Sequence, residues 1–369
     1  MTVVDEPKNT PPTSISDVFQ RVANHAFHPV SEESFTKDRR LLTDGIADFA
    51  DNDWQVRLLA VRDLVVAGAG ALEDIVKGLD AADIQVRYVV ATALGIIGDE
   101  AAARALERTV KQDPDALARS AATMALGQIG HRETLKVLGR IQEKDPSQDV
   151  RHQAELAIDQ IEKSMGATEQ LREAFRTLDP ASFGRVRAGD TAADFELPDT
   201  DGDRWHLGQA LDGEHWVVLV WVFADWCPVC HREFAELIEL RDEFRRTNVC
   251  VATLEAHDTY RTRVMVGKEL DPKYWFAGES FQEAYIDNIW WPHLIDRAGA
   301  VGGRYGIDPM AYAVHAEYIN RPATIIIDPD GIVRLAWFGT YWGDRPSMSD
   351  VLAMIQSGEF EFNHANACE

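Results

Sequence analysis

Cysteine is scarce: Cys227, Cys230, Cys250 and Cys368 are the four in a chain of 369 residues. That is too few to staple a chain of this length, so a disulfide framework is excluded as the basis of the fold. Basic charge is also in short supply. Lysine and arginine total 37 against 61 acidic residues, a formal net charge of −24, and no basic run occurs. Nucleic acid and anionic membrane surfaces both need a basic patch, so neither is an expected partner. The abundant aspartate reads equally as a salt-adapted surface and as a compositional bias. Long hydrophobic runs are missing too. The longest, Trp216 to Ala224, is about half of what a membrane helix needs. Residues 1–16 are polar and proline-rich, with no basic stretch leading into an apolar one. No signal peptide is expected, and the expected location is the cytoplasm. A zinc site would need a second cysteine pair or spaced histidines beside Cys227 and Cys230, and neither is there. No metal and no cofactor is expected.

What is present divides the chain in two. The apolar fraction of 46% suffices for packed cores, and the length favours two or three domains. Between residues 45 and 165 the sequence repeats. Asp53-Trp-Gln-Val-Arg57 recurs as Asp83-Ile-Gln-Val-Arg87, as Asp115-Ala-Leu-Ala-Arg119 and more loosely as Ser147-Gln-Asp-Val-Arg151. The arginines stand 30, 32 and 32 residues apart. Ala60, Val90, Ala122 and Ala154, then Leu64, Leu94, Leu126 and Ile158, fall at helical spacing and mark a buried face. Gly68, Gly98 and Gly130 end each first helix, and second helices are expected over 71–79, 100–111 and 132–143. Two helices per unit at a period near 30 make a solenoid. Asp53, Asp83 and Asp115 with their arginines are expected to form ladder pairs between repeats. Residues 1–44 are expected to hold a tail and capping helices (15–27 and one from 34 to 50), and 166–185 a linker helix and loop.

From residue 186 onward the periodicity changes. Apolar, β-branched runs at 216–223, 249–254, 324–327 and 332–338 alternate with helical patterns, which implies an α/β sheet. Asp328-Pro-Asp-Gly331 is a hairpin turn, and 346–356 is a last helix. Cys227-Pro-Val-Cys230 stands where the first of these strands runs into a helix expected over 228–245. A helix N-terminus carries partial positive charge and free N–H groups, which stabilise a thiolate. The site residues expected on that basis are Cys227 and Cys230, closing one redox-active disulfide. Cys250, in an apolar strand, reads as a buried inert thiol.

The repeats resemble short HEAT-like repeats over about four units, which implies an all-α solenoid that binds a protein partner; with no cysteine in this half, a chromophore-lyase role is not expected. Residues 186–357 resemble the redoxin family, which includes alkyl hydroperoxide reductase/thiol-specific antioxidant proteins. The resemblance is carried by Ala188-Gly-Asp-Thr-Ala-Ala-Asp-Phe-Glu-Leu-Pro-Asp-Thr-Asp-Gly202, by Trp226–Glu233, by Pro292-His-Leu-Ile-Asp296, by Tyr305-Gly-Ile and by Arg321-Pro-Ala-Thr-Ile-Ile-Ile-Asp-Pro-Asp-Gly331. It implies a thioredoxin-like fold over 186–369, with Pro322 as a cis proline facing the dithiol and Trp226, Pro228 and Arg321 lining the substrate side.

Two chemistries follow from that resemblance. Peroxiredoxins resemble Pro-x-x-x-Thr-x-x-Cys here, which puts Phe223 at the proline position, Cys227 at the threonine position and Cys230 at the peroxidatic position. The arginine expected beside the thiolate falls in register on Pro322, with Arg321 one residue early. The disulfide oxidoreductase pattern fits better: Cys227 attacks a substrate disulfide and Cys230 resolves it. The buried aspartate of thioredoxin is Trp221 here. Glu233, one turn beyond Cys230, is the expected proton acceptor, as in the cytochrome-maturation thioredoxins. The expected function is thiol–disulfide exchange, with a protein disulfide substrate or reductase donor. The alternatives are a thiol peroxidase centred on Cys230 and a non-enzymatic, redox-sensitive adaptor.

Overall fold

The computed structural model describes residues 14–24, 53–256, 259–269, 284–309, 312–339 and 344–362. They group into two compact units, one containing the chain up to Ala181 together with residues 313–318, the other Ser182–Tyr312 and the chain from Ile319. The helix expected from residue 34 to 50 lies outside the described residues. None of the described helices is long and apolar enough to cross a membrane.

The first unit is helical. Its elements are α1 (Ile15–Asn24), α2 (Asp53–Ala67), α3 (Leu72–Lys77), α4 (Ile84–Ile97), α5 (Ala103–Gln112), α6 (Ala116–Ile129), α7 (Leu135–Lys144), α8 (Gln148–Glu162) and α9 (Glu169–Arg176). The first helices of successive repeats, α4, α6 and α8, pack on one another. Small residues make the approach close: a Cβ added at Gly127 would stand 3.0 Å from the Ala157 backbone. Gly98 and Gly130 end α4 and α6 with φ of 72° and 75°, a conformation in which a side chain is strained. Residues 313–318, from a hairpin later in the chain (Tyr312–Val314, Glu317–Ile319), belong to this unit. There Gln153 Nε2 donates to Glu317 Oε2 at 3.3 Å.

The repeat signature does two jobs, divided differently from the sequence expectation. Asp83 and Asp115 do not meet the arginines; each caps its helix, accepting from the backbone of Gln85 and Leu117. The ladder is made by aspartates at the ends of the second helices. Arg87 forks onto Asp113 (2.7 and 3.1 Å), and Arg119 onto Asp145 (2.9 and 2.9 Å). The remaining Nη1 of each arginine donates to two carbonyls in the turn before its own helix, Ala81 and Ala82 for Arg87 and Asp113 and Pro114 for Arg119. Each fork thus ties the start of one repeat to the start of the next.

The second unit is built on a five-stranded sheet in the order β5-β4-β3-β6-β7: β3 (Trp216–Trp221), β4 (Val249–Glu255), β5 (His293–Ile295), β6 (Ala323–Ile327) and β7 (Val333–Phe338), with a separate pair β1 (Glu196–Pro198) and β2 (Arg204–His206). β4 runs parallel to β3 and β5 to β4, while β6 is antiparallel to β3 and β7 to β6. β3 is central and covered on both faces, which explains its unbroken apolar run. Val217, Leu219 and Trp221 join a cluster with Leu254, Ile325 and Tyr305, and the alternate Val218 and Val220 are equally buried on the opposite face. The turn at Asp328–Gly331 is as expected, with Gly331 at φ 78°. The expected helix over 228–245 is interrupted at Leu240, giving α10 (Pro228–Glu239) and α11 (Arg241–Arg246). Further helices are α12 (Thr259–Met265), α13 (Ala300–Tyr305) and α14 (Met348–Ser357), the last opened by a Ser347–Asp350 capping box.

The buried fork sets a test. Asp145→Ala should destabilise the helical unit by roughly 3–5 kcal/mol, because Arg119 is left as an uncompensated buried charge. Asp83→Ala, which removes only a cap, should cost about 1 kcal/mol. Chemical denaturation of both variants reads the difference, and equal costs would remove the ladder as a principal stabilising contact.

Candidate active site

Strand β3 delivers the chain to the carboxyl end of the sheet, where α/β folds place their ligands. After Trp221 the backbone turns, and Cys227 becomes the N-cap of α10 with Pro228 in the first turn. Both sulfurs are buried, Cys227 and Cys230 each at 0% exposure, while Pro228 between them is exposed. The thiols are free.

Cys230 Sγ sits in a nest of donors. Arg345 Nη2 lies 3.0 Å away and the Phe223 backbone N–H 3.4 Å away. The Ala224 N–H and the Cys227 thiol add two more hydrogen bonds. Burial alone would raise the Cys230 pKa, but these donors and the guanidinium charge outweigh it and hold the thiol well below its ordinary value. Cys227 moves the opposite way: burial raises it, and so does donating to the neighbouring thiolate. Of the two thiols, Cys230 is the one built to be ionised. This reverses the assignment of Cys227 as the thiolate. Helix position alone favours Cys227, but the arginine reaches Cys230.

Arg345 precedes α14, in sequence far from the dithiol. Its side chain is buried, and its Nη1 also donates to the Trp221 carbonyl at 3.4 Å. Two contacts hold this segment: Met348 N donates to Glu236 on α10 (2.8 Å), and Trp337 Nε1 donates to the Asp344 carbonyl (2.5 Å). Sequence register put the thiolate's arginine at Pro322 or Arg321, where none faces sulfur. The charge comes instead from Arg345, which no motif marks, because only the folded loop carries it to the site.

Glu233 is 4% exposed, one turn along α10 from Cys230. Arg345 Nε lies 2.9 Å from Glu233 Oε1, a charge contact without hydrogen-bond alignment, and neither carboxyl oxygen has a hydrogen-bond partner. Burial raises the Glu233 pKa to about 8, partly opposed by Arg345 and reinforced by the Cys230 thiolate. One guanidinium therefore faces a thiolate and a protonated carboxyl group.

The remaining expected residues fall around this centre. Trp226 is buried, edge-on to Phe223 with ring centroids 5.8 Å apart, so it is part of the wall and not an exposed substrate contact. Arg321 turns to the Gly339 carbonyl (3.0 Å) and the Phe338 ring. Pro322 is not a cis proline: no cis peptide bond occurs among the described residues. Arg321 N instead donates to Asp308 and the Pro322 carbonyl accepts from Gly339 N, so both sides of that bond are held in the extended approach to β6. His231 adds no charge. Burial lowers its pKa, its Nε2 faces the Asp225 carbonyl (2.8 Å) and so carries the proton, and its Nδ1 accepts from the Tyr285 hydroxyl (2.8 Å). Asp225, two residues before Cys227, is held by a buried fork from Arg261 (2.7 and 2.8 Å), a pair the sequence reading missed. Cys250 is half-buried, with burial raising its pKa, and Cys368 lies outside the described residues. Among the described residues no group of histidine, cysteine and carboxylate side chains is arranged to hold a metal.

Comparison with known proteins agrees with this division. Residues 188–336 match the AhpC/TSA family, and residues 41–127 and 111–182 match HEAT repeats. No curated protein matches the chain. Similar solved structures include the peroxidoxin BcpB from Mycobacterium tuberculosis, 22% identical over 47% of this chain and 98% of that one, with a TM-score of 0.36. A reduced 2-Cys peroxiredoxin from Plasmodium vivax is 20% identical over 47% and 82%, with a TM-score of 0.36. A cysteine-to-serine variant of peroxiredoxin 6 from Arenicola marina is 19% identical over 47% and 74%, with a TM-score of 0.39. The chain joins a HEAT-repeat region to an AhpC/TSA domain of thioredoxin-like fold.

Arg345→Gln removes the charge but keeps the side chain polar. The Cys230 pKa should then climb toward or above the ordinary thiol value of about 8.5. Ultraviolet titration of the thiolate in a Cys227→Ser background measures this, and an unchanged titration would mean the donors of the loop suffice without Arg345.

Proposed function

We propose that the AhpC/TSA domain, a thiol-dependent oxidoreductase, acts as a thiol peroxidase in which Cys230 meets the peroxide and Cys227 resolves the product. The observation that carries this reading is the Arg345 guanidinium 3.0 Å from Cys230 Sγ, in a site where both sulfurs are buried. Engaging a protein disulfide needs an open groove at the thiol, which two sulfurs at 0% exposure do not offer, whereas a peroxide needs a far smaller opening. The stabilised thiolate is also the nucleophile that peroxide cleavage requires.

The steps balance with the groups at hand. The Cys230 thiolate attacks one peroxide oxygen, the O–O bond breaks, and sulfur is oxidised to the sulfenic acid. The departing oxygen carries the electron pair and takes the proton from Glu233, leaving as water or an alcohol. The Cys227 thiol then attacks the Cys230 sulfur. Its proton and the sulfenic hydroxyl leave as water, and the Cys227–Cys230 disulfide closes. An external dithiol reductant returns both cysteines to thiols. Arg345 holds the thiolate before the first step and can stabilise the oxygen that develops charge during it. The HEAT-repeat region recruits a protein partner, such as that reductant, and raises its local concentration at the dithiol. Reduced thiols suit the cytoplasm.

Thiol–disulfide exchange is the second reading, favoured by the two-residue spacing and by the hydrogen bond of the Cys227 thiol to Cys230. Rapid mixing with hydrogen peroxide, followed by tryptophan fluorescence, separates the two. Under the peroxidase reading oxidation is orders of magnitude faster than that of a free thiol, Cys230→Ser abolishes it, and Cys227→Ser stops at the sulfenic acid. A wild-type rate no better than a free thiol returns the site to disulfide exchange.

The proton on Glu233 gives a pH test. Its acid form is present below about 8 and is lost as pH rises through that value. The second-order rate with peroxide should therefore fall above pH 8 in the wild type. Glu233→Gln should lower the rate roughly 100-fold and abolish the fall. A variant that keeps the wild-type profile would remove Glu233 as the proton source.

A further inference from the structure

At the β7 edge of the sheet three arginines gather around one groove, and only one of them meets a carboxylate. Residues 185–188 and β7 enclose a groove of about 330 Å³ with Arg185, Arg187 and Arg334 on its rim and Val186, Leu335, Ala336, Phe338 and Phe360 beneath. Arg334 is neutralised by Asp328 at 2.6 Å. Arg185 and Arg187 are exposed, and neither guanidinium has an ion pair among the described residues. Arg185 stands 4.5 Å over the Phe338 ring, with Arg321 5.7 Å from the same ring. Two like charges, those of Arg185 and Arg321, share one aromatic in a chain whose net charge is −24. Acidic residues outnumber basic ones overall, so the lack of a local counter-charge is a feature of this place and not of the composition.

The groove also lies along a free sheet edge. β7 is the last strand in the order, and among the described residues its outer side is paired at its start, where Val333 exchanges hydrogen bonds with Gly189 and Asp190. Beyond Val333 no further strand pairs with it among the described residues. An open edge, an apolar floor and flanking guanidiniums match an extended segment that alternates carboxylate and apolar side chains.

We propose that this groove docks an acidic, extended segment of a partner protein along β7, with carboxylates on Arg185 and Arg187 and an apolar side chain against Phe338 and Phe360. Guanidinium forks give the carboxylate contacts their geometry, and the aromatic floor favours a segment with apolar residues at alternate positions. The surface is independent of the dithiol chemistry, so its failure leaves the peroxide reading untouched and the reverse also holds.

The test uses the full chain and a fluorescein-labelled peptide of alternating glutamate and phenylalanine, followed by anisotropy. The wild type should bind it, with affinity falling as salt rises. Arg185→Glu with Arg187→Glu should weaken binding at least tenfold, while Arg246→Glu, an exposed arginine on α11, should leave it unchanged. Circular dichroism and the peroxide rate of the double variant should match the wild type. No binding by the wild type overturns the proposal. So does equal weakening by Arg246→Glu, which would mean diffuse charge attraction. Equal binding of a lysine–phenylalanine peptide overturns it too. If sedimentation finds a wild-type dimer that the double variant dissociates, the groove is a contact between copies and the proposal also fails.

Discussion

One buried positive charge sets the chemistry of the thiol site. Arg345 lies within 3.0 Å of Cys230 Sγ and 2.9 Å of Glu233 Oε1, and all three are removed from water. A single guanidinium can balance a single anion. With the thiolate occupying that role, ionising Glu233 would place a second negative charge in the same dry space. Burial, reinforced by the neighbouring thiolate, holds the carboxyl pKa near 8 in place of 4.5, on the order of 5 kcal/mol at about 1.4 kcal/mol per pH unit. With Cys230 ionised and both Cys227 and Glu233 protonated, the site holds a single negative charge opposite a single guanidinium. That intermediate state pairs a nucleophile with an acid, the combination that cleaving a peroxide bond asks for.

The two units solve the same physical problem in different ways. In the solenoid, Arg87 and Arg119 are buried or nearly so, and each is answered by a forked aspartate and two carbonyls. Nothing is left to react, and the charge serves register between repeats. At the dithiol, Arg345 is answered by a sulfur anion and by a carboxyl group whose oxygens lack hydrogen-bond partners. An incompletely satisfied network is costly to maintain, and such networks concentrate where chemistry occurs. The surrounding contacts are well satisfied: Asp225 with Arg261, His231 with Tyr285, Met348 with Glu236. They fix the loop, the helix and the arginine segment against one another, so the reactive group is the exception within a rigid frame.

Much of the architecture was legible because it is local or periodic. The repeat period, the glycines that end α4 and α6, the buried run of β3 and the turn at Asp328–Gly331 all depend on residues close in sequence. The cysteine pair at a strand-to-helix junction was legible for the same reason, and so was Glu233, since one helical turn fixes its side of α10. The reading failed wherever the partner was distant. Asp83 and Asp115 were paired with the nearest arginines, whereas their side chains cap the helices and the arginines reach aspartates 26 residues on. Pro322 was given a cis bond by analogy, and the hydrogen bonds on either side hold it extended.

Sequence by itself determined two domains of different periodicity, a helical solenoid and a mixed sheet, and a dithiol at the head of a helix. It also determined that Cys230 and Glu233 share a face, because helix geometry is the same wherever a helix forms. Which sulfur ionises was decided only by the tertiary structure. That choice rests on electrostatics over a few ångströms in a low-dielectric site, and the deciding charge, Arg345, is brought there by a loop more than a hundred residues away along the chain. Spacing encodes neighbours along a helix or strand; it does not encode which distant charge the packing of the sheet will bring to them.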